Sequence, residues 1–155
     1  MRLYLAQHGD AAPVEVNPER PLSELGREDL RRLAKFVGGS GIRVQRVFHS
    51  GKLRARQTAE LLATQIASAE AIEAAVGLNP NDPVEPMSDW ISDWSEDTLL
   101  VGHLPLMGRL VAYLVSGAGD RQVAAFQPGS LVCLERDTGG CWAVAWMLRP
   151  ELFGG

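Results

Sequence analysis

Cysteine is scarce in this chain of 155 residues, and long apolar runs are missing. Its two cysteines, Cys133 and Cys141, are too few for a disulfide scaffold. No apolar run approaches the roughly 18 residues that a transmembrane helix needs. The opening segment MRLYLAQHGD has one basic residue and a short apolar run that His8 and Asp10 interrupt, unlike a signal peptide. We therefore expect a cytoplasmic protein with reduced thiols and no membrane partner.

Positive charge is also in short supply, because 15 Lys and Arg face 19 Asp and Glu and the net charge is -4. An acidic chain binds nucleic acid poorly unless its cations cluster. Residues 1–78 hold 11 cations and 9 acids, whereas residues 79–155 hold 4 and 10. Thirteen of the fifteen cations are Arg, whose planar fork suits phosphate and carboxylate. The balance predicts a local anion site and no nucleic-acid partner.

The length predicts one domain over residues 1–155, with ordinary globular composition: 46% hydrophobic and 22% charged residues. A domain of this size buries roughly 68–70% of the surface that its unfolded chain exposes. The chain can therefore form a full core without a structural metal or disulfides.

Apolar runs and helical patterns alternate along the chain. The predicted strands are residues 2–7, 44–49, 71–75, 98–102, 131–136 and 142–148, and the predicted helices are 23–37, 52–66, 86–94 and 106–115. The turn at 137–140 predicts a hairpin, across which Cys133 and Cys141 could face one another. The order predicts an α/β fold with three layers: a mostly parallel sheet flanked by helices, with an antiparallel C-terminal hairpin.

All three histidines, His8, His49 and His103, fall at the carboxyl ends of predicted strands. Open α/β sheets bind their ligands at that edge. Three interpretations stay open: a metal site with Asp10, an anion site with a histidine nucleophile, and structural histidines in turns. The first has no matching local zinc spacing. The second is supported by Arg54 near a predicted helix start, where free N–H groups attract anions.

Four blocks together resemble the histidine phosphatase superfamily, which has the phosphoglycerate-mutase-like fold. They are LAQHGDA at 5–11, RPLSELG at 20–26, HSGKLRARQTAE at 49–60 and VGHLPLMG at 101–108. Within the superfamily they look closest to the short phosphohistidine phosphatases of the SixA type. A single H-G pair carries no weight, whereas four blocks in the family's order are specific.

The resemblance assigns roles to residues by their positions in these blocks. His8 matches the nucleophile that becomes phosphorylated, Arg54 an arginine of the phosphate pocket, and His103 the second histidine, expected to be protonated against the phosphoryl oxygens. Arg20 and Ser50 are expected to line the same pocket. The resemblance implies no metal and no cofactor.

Asp10 is the candidate general acid for the leaving group, because it lies two residues after the nucleophile. The alternative is a turn residue whose side chain caps its own loop. Arg56 is expected to be solvated, although it lies near Arg54 in the same block.

Gln7 departs from the family's R-H-G hallmark and is expected to border the phosphate. An arginine there would make two charge-assisted bonds to phosphate, and glutamine keeps one NH₂ donor without the charge. Either the enzyme works with a weaker grip on phosphate, or the domain binds phosphate with little turnover. The retention of His8, Arg54 and His103 favours the working enzyme.

The resemblance implies a metal-independent phosphatase that acts through a phosphohistidine on His8. Imidazole, with a pKa of roughly 6.5 in histidine, leaves more easily than an alkoxide, which favours phosphohistidine on a protein as the substrate. The alternatives are a small-molecule phosphomonoesterase and, because of Gln7, a phosphate-binding regulatory domain with weak catalysis. The oligomeric state is left open.

Overall fold

Six strands form the central sheet of the computed structural model, which describes residues 1–154. They are β1 (Arg2–Gln7), β2 (Arg46–His49), β3 (Ile72–Ala74), β4 (Thr98–Gly102), β5 (Leu131–Arg136) and β6 (Trp142–Leu148), in the spatial order β3-β2-β4-β1-β5-β6. The first four in this order run parallel, whereas β5 is antiparallel to β1 and β6 to β5. The predicted α/β class, the mostly parallel sheet and the C-terminal hairpin are confirmed.

Four helices cover both faces of the sheet: α1 (Glu24–Gly39), α2 (Leu53–Ile66), α3 (Val84–Ser92) and α4 (Leu106–Ser116). Side chains alternate along β1, so Tyr4 and Ala6 join the core under α1 and α2, while Leu3 and Leu5 join the core under α3 and α4. Short 3₁₀ turns lie at Ala69–Ala71 and Pro150–Phe153. The predicted three layers are therefore present.

The strand β4 lies at the centre of the parallel part, between β2 and β1, and all five of its residues are buried. Its apolar run TLLVG suits a strand that is covered by helices on both faces. Because β1, β2 and β4 are neighbouring parallel strands, their carboxyl ends meet at one edge of the sheet.

The loop after β1 is tied to the start of α1. Ser23 caps the helix, since its Oγ accepts a hydrogen bond of 3.0 Å from the Gly26 N–H. Gly26 has no room for a side chain, because a Cβ there would lie 2.2 Å from the carbonyl oxygen of Asp10. The backbone at Asp10, two residues after His8, is therefore packed directly against the first turn of α1.

The helix α3 begins two residues before the predicted start at Pro86. Pro86 lies in the first turn of α3. N–H groups in the first turn have no carbonyl partner within the helix, so a proline there costs no helical hydrogen bond. The prediction placed the helix start at Pro86, whereas the helix begins at buried Val84 and Pro86 lies within its first turn.

The expectation that Cys133 and Cys141 face each other is wrong. Cys133 is buried on β5 and lies opposite Trp146, whereas Cys141 is exposed in the turn that joins β5 to β6. Cys141 precedes the first residue of β6, and its carbonyl accepts a hydrogen bond of 3.0 Å from the Asp137 N–H, so its neighbour across the hairpin is Asp137 and not Cys133. In the described residues 1–154, no helix is long and apolar enough to cross a membrane.

Candidate active site

Three strand ends bring the histidines to one edge of the sheet. His8 follows β1, His49 ends β2 and His103 follows β4. The predicted position of each histidine at a carboxyl end is confirmed. His8 and His103 lie on adjacent strands, and their ring centroids are 4.9 Å apart.

The tautomer of His8 follows from its hydrogen bond to the next residue. His8 Nδ1 lies 2.8 Å from the Gly9 carbonyl oxygen, so Nδ1 carries a proton and donates it. The lone pair of the neutral ring is then on Nε2. Burial, with smaller contributions from the charges of Arg54 and Arg20, lowers the pKa of His8 to about 4. The ring is therefore neutral at pH 7, which is the form that a nucleophile requires.

His103 is also held neutral. It is only 2% exposed, and its Nε2 is hydrogen-bonded to Ser50 Oγ at 2.7 Å. Burial lowers the pKa of His103 to about 3, with His8 and Arg54 as further causes. The sequence predicted a protonated His103, but at pH 7 the unliganded site disfavours that proton. A phosphoryl dianion would reverse this preference, because an opposite charge favours the protonated ring.

Two guanidinium groups supply positive charge at this edge. Arg54 lies in the first turn of α2, and burial lowers its pKa, with Arg20 as a further cause. Arginine stays charged even so. Arg20 adopts a left-handed backbone with φ of 50°, and its Nε donates to the Ala12 carbonyl at 3.0 Å. Both arginines lower the pKa values of His8 and His103, so their charges act on the pocket.

The chain matches a known protein family over its first half, and a relative and solved structures along most of its length. The family described as "Histidine phosphatase superfamily (branch 1)" matches residues 3–79. Phosphohistidine phosphatase SixA of Escherichia coli (strain K12) is 28% identical in an alignment of 155 positions that covers 97% of this chain and 94% of that protein. A structure of the protein histidine phosphatase SixA complexed with tungstate superposes with a TM-score of 0.87 at 27% identity, covering 98% of this chain and 99% of that chain. The chain belongs to the histidine phosphatase superfamily.

The resemblance in fold extends to phosphatases of other specificity. A phosphoserine phosphatase of Entamoeba histolytica superposes with a TM-score of 0.73 at 11% identity, covering 97% of this chain and 98% of that chain. At that identity the likeness concerns the fold alone. The match to SixA along nearly the whole chain makes this protein a phosphatase of the histidine phosphatase type.

Gln7 is the residue by which this histidine phosphatase departs from the R-H-G pattern. It is the last residue of β1, pairs with Gly102 of β4, and is 7% exposed. Its Oε1 is buried without a hydrogen-bond partner in the protein, as are Nε of Arg54 and Nδ1 of His103. The three atoms lie on residues that the sequence assigned to the phosphate pocket.

Asp10 has a structural contact that the sequence did not specify. Its Oδ2 accepts a hydrogen bond of 2.5 Å from Ser23 Oγ, and its carbonyl accepts one of 2.9 Å from the Ser23 N–H. These contacts support the alternative of a loop-capping residue. The role of Asp10 as a general acid stays a prediction.

His49 and Arg56 have structural contacts of their own. His49 Nδ1 accepts a hydrogen bond of 3.0 Å from the Gly51 N–H and so closes the turn after β2. Arg56 is exposed and lies 3.6 Å from Glu60 one turn along α2, which confirms its predicted solvation. Within residues 1–154, no three His, Cys, Asp or Glu side chains are grouped to hold a metal ion.

Two neighbours of the pocket were not predicted. Lys52 precedes α2, and its charge contributes to the low pKa of His103. Thr58 is fully buried in α2 and accepts a hydrogen bond of 3.0 Å from the Gly9 N–H. The signal for Thr58 is its position four residues after Arg54, which places both residues on the same side of a helix.

Proposed function

We propose that the protein is a metal-independent phosphohistidine phosphatase whose substrate is a phosphohistidine on another protein. The observation that carries this proposal is the neutral His8 ring, with Nδ1–H given to Gly9 and Nε2 free beside His103. Such a ring has a nucleophilic lone pair, and Arg54 supplies charge for the phosphoryl oxygens.

In the first step His8 Nε2 attacks phosphorus in line with the leaving group. A new P–N bond forms, the P–N bond of the substrate breaks, and its electron pair moves to the substrate imidazole, which takes up a proton from solvent water. Arg54, Arg20 and His103 stabilise the equatorial oxygens of the transferring group. In the second step water attacks phosphorus, the electron pair returns to Nε2, and inorganic phosphate leaves.

The substrate class follows from the demand for a proton. An imidazole leaving group, with a pKa of roughly 6.5, needs weaker acid assistance than an alkoxide. The Asp10 carboxylate is engaged by Ser23, so the site is better suited to a leaving group of low basicity. The relatives named SixA are phosphohistidine phosphatases, which supports the same substrate class.

The test compares a phosphohistidine peptide, p-nitrophenyl phosphate and a phosphoserine peptide, each with and without EDTA. We expect the highest kcat/KM on the phosphohistidine peptide and no loss with EDTA. Preference for either phosphate ester would contradict the substrate class, and loss of activity with EDTA would contradict metal independence. Arg56→Ala is a matched control for Arg54→Ala, because Arg56 lies two residues further on the exposed side of α2.

Gln7 favours a second candidate, a phosphate-binding domain with weak turnover. The side chain carries no charge at a position where the family has arginine. Turnover of the phosphohistidine peptide no faster than in His8→Ala, together with tight binding of tungstate, would favour this candidate over the enzyme.

A further inference from the structure

Thr58 makes two hydrogen bonds that join the two halves of the pocket. Its hydroxyl donates to the Arg54 carbonyl at 2.7 Å, one turn earlier in α2. The same Oγ1 accepts a hydrogen bond of 3.0 Å from the Gly9 N–H in the segment after β1. Thr58 therefore contacts the residue after the nucleophile and the backbone of the phosphate-binding arginine.

The direction of these bonds is set by the helix. The Arg54 carbonyl can only accept, so the single hydroxyl proton of Thr58 is committed to it. The oxygen lone pairs are then available to the Gly9 N–H. Thr58 is fully buried, so water does not replace either partner without opening the core.

Gly9 in turn governs the tautomer of His8. Its carbonyl accepts the His8 Nδ1–H, and its N–H belongs to the peptide unit that joins His8 to Gly9. The segment has little room, because a Cβ on Gly9 would lie 2.7 Å from Leu30 Cδ1 and 3.1 Å from Leu22 Cδ2. The bond to Thr58 holds Gly9 from the side of α2, while α1 packs against it from the other.

We propose that Thr58 is a positioning residue, which holds Gly9 so that its carbonyl fixes the Nδ1–H tautomer of His8 and keeps Nε2 facing the phosphoryl group beside Arg54. The catalytic part of this proposal rests on the phosphatase function proposed above. The tautomer part does not, because it concerns the resting protein.

Thr58→Val tests the proposal, because valine keeps the branched shape and removes the hydroxyl. We expect kcat on the phosphohistidine peptide to fall on the order of tenfold to a hundredfold, since small misplacements of reacting groups have effects of that size. KM should change much less, because Arg54 and Arg20 keep their charges. Thr58→Ser restores the hydroxyl and should recover most of kcat.

The matched control is Leu62→Val, one turn further along α2, where the side chain is fully buried but makes no hydrogen bond to the His8 segment. We expect it to lower stability through lost packing while it leaves the hydrogen bond between Thr58 and Gly9 in place. Nitrogen-15 NMR of the ring gives the second measurement: we expect pure Nδ1–H His8 in wild type, Thr58→Ser and Leu62→Val, and a mixture of tautomers in Thr58→Val.

The proposal is overturned if Thr58→Val keeps a kcat within twofold of Leu62→Val, or if His8 remains wholly Nδ1-protonated in it. Should Thr58→Val fail to fold, Thr58→Ala takes its place with the same two criteria. If wild type hydrolyses none of the substrates, the proposed function fails, and the NMR measurement still decides the role of Thr58 in fixing the tautomer.

Discussion

Replacing Gln7 by arginine tests whether the missing guanidinium lowers the affinity for phosphate. Gln7 ends β1 directly before the nucleophile, and its Oε1 has no partner in the protein. An arginine side chain from the same Cα would bring a forked donor and a positive charge to the buried end of the strand. We expect Gln7→Arg to bind phosphate, vanadate or tungstate more tightly than wild type.

The size of the gain follows from the charges already present. A hydrogen bond to a charged group contributes about 1.5–3 kcal/mol. Arg54 and Arg20 already act on this pocket, and their repulsion of a third guanidinium offsets part of that gain. The lower end of the range, about 1.5 kcal/mol, corresponds to an inhibition constant on the order of tenfold tighter, since about 1.4 kcal/mol is a factor of ten.

The melting temperature distinguishes an arginine that contacts the bound anion from one that only adds positive charge to the protein. Gln7 is 7% exposed, so an arginine there is desolvated until an anion neutralises it. Gln7→Arg should therefore melt below wild type in plain buffer and gain more in Tm from tungstate than wild type does. Gln45→Arg is the control, because Gln45 is exposed just before β2, at the opposite edge of the sheet.

The assay is competitive inhibition of peptide hydrolysis by vanadate, measured for wild type, Gln7→Arg and Gln45→Arg. Tighter inhibition of Gln7→Arg alone supports a site that lacks one charge. Unchanged or weaker inhibition would show that the pocket has been rebuilt around Gln7, and would refute the transfer of the family's phosphate contacts to this residue.

Three further predictions concern pH, thiols and the loop after β1. The folded pKa of His8, about 4, lies below its unfolded value, so between these values the unfolded chain binds more protons than the folded chain. The free energy of unfolding therefore decreases as the pH is lowered, and His8 alone should cost about 2 kcal/mol between pH 7 and pH 5. Urea unfolding measures this loss, which His8→Ala should reduce. If the protein resides in the reducing cytoplasm, alkylation of native protein should modify exposed Cys141 first, and buried Cys133, whose pKa is raised to about 11, only after unfolding; a Cys141 that resists alkylation until a reductant is added would contradict this. Asp10→Asn should lower Tm through its contact with Ser23 and leave kcat on phosphohistidine within a few-fold, whereas a hundredfold loss of kcat would assign Asp10 as the acid.

The sequence patterns predict the fold where burial alone decides it. The run TLLVG is a central strand because both faces are covered, and the alternating runs of the hairpin have the predicted bounds. The spatial order of the strands was not predictable in this way, because it depends on crossovers between residues far apart in the chain.

The site was predictable as a set of residues but not as a set of protonation states. Strand ends and motif positions identified His8 and His103, whereas the neutral form of His103 depends on its burial beside Arg54. The contacts of Thr58 with Gly9 and of Asp10 with Ser23 join segments that are distant in sequence. Spacing places Thr58 on the same side of α2 as Arg54, but it does not show which distant segment Thr58 contacts.

The central claim is that His8 Nε2 carries the phosphoryl group during turnover. Rapid mixing of the protein with phosphorus-32-labelled phosphohistidine peptide, followed by alkaline quench and peptide mapping, tests it directly. The account predicts one acid-labile label on His8, attached at Nε2, that is absent from His8→Ala while Arg56→Ala keeps it. Turnover by His8→Ala at the wild-type rate, or a label on another residue, would contradict the account.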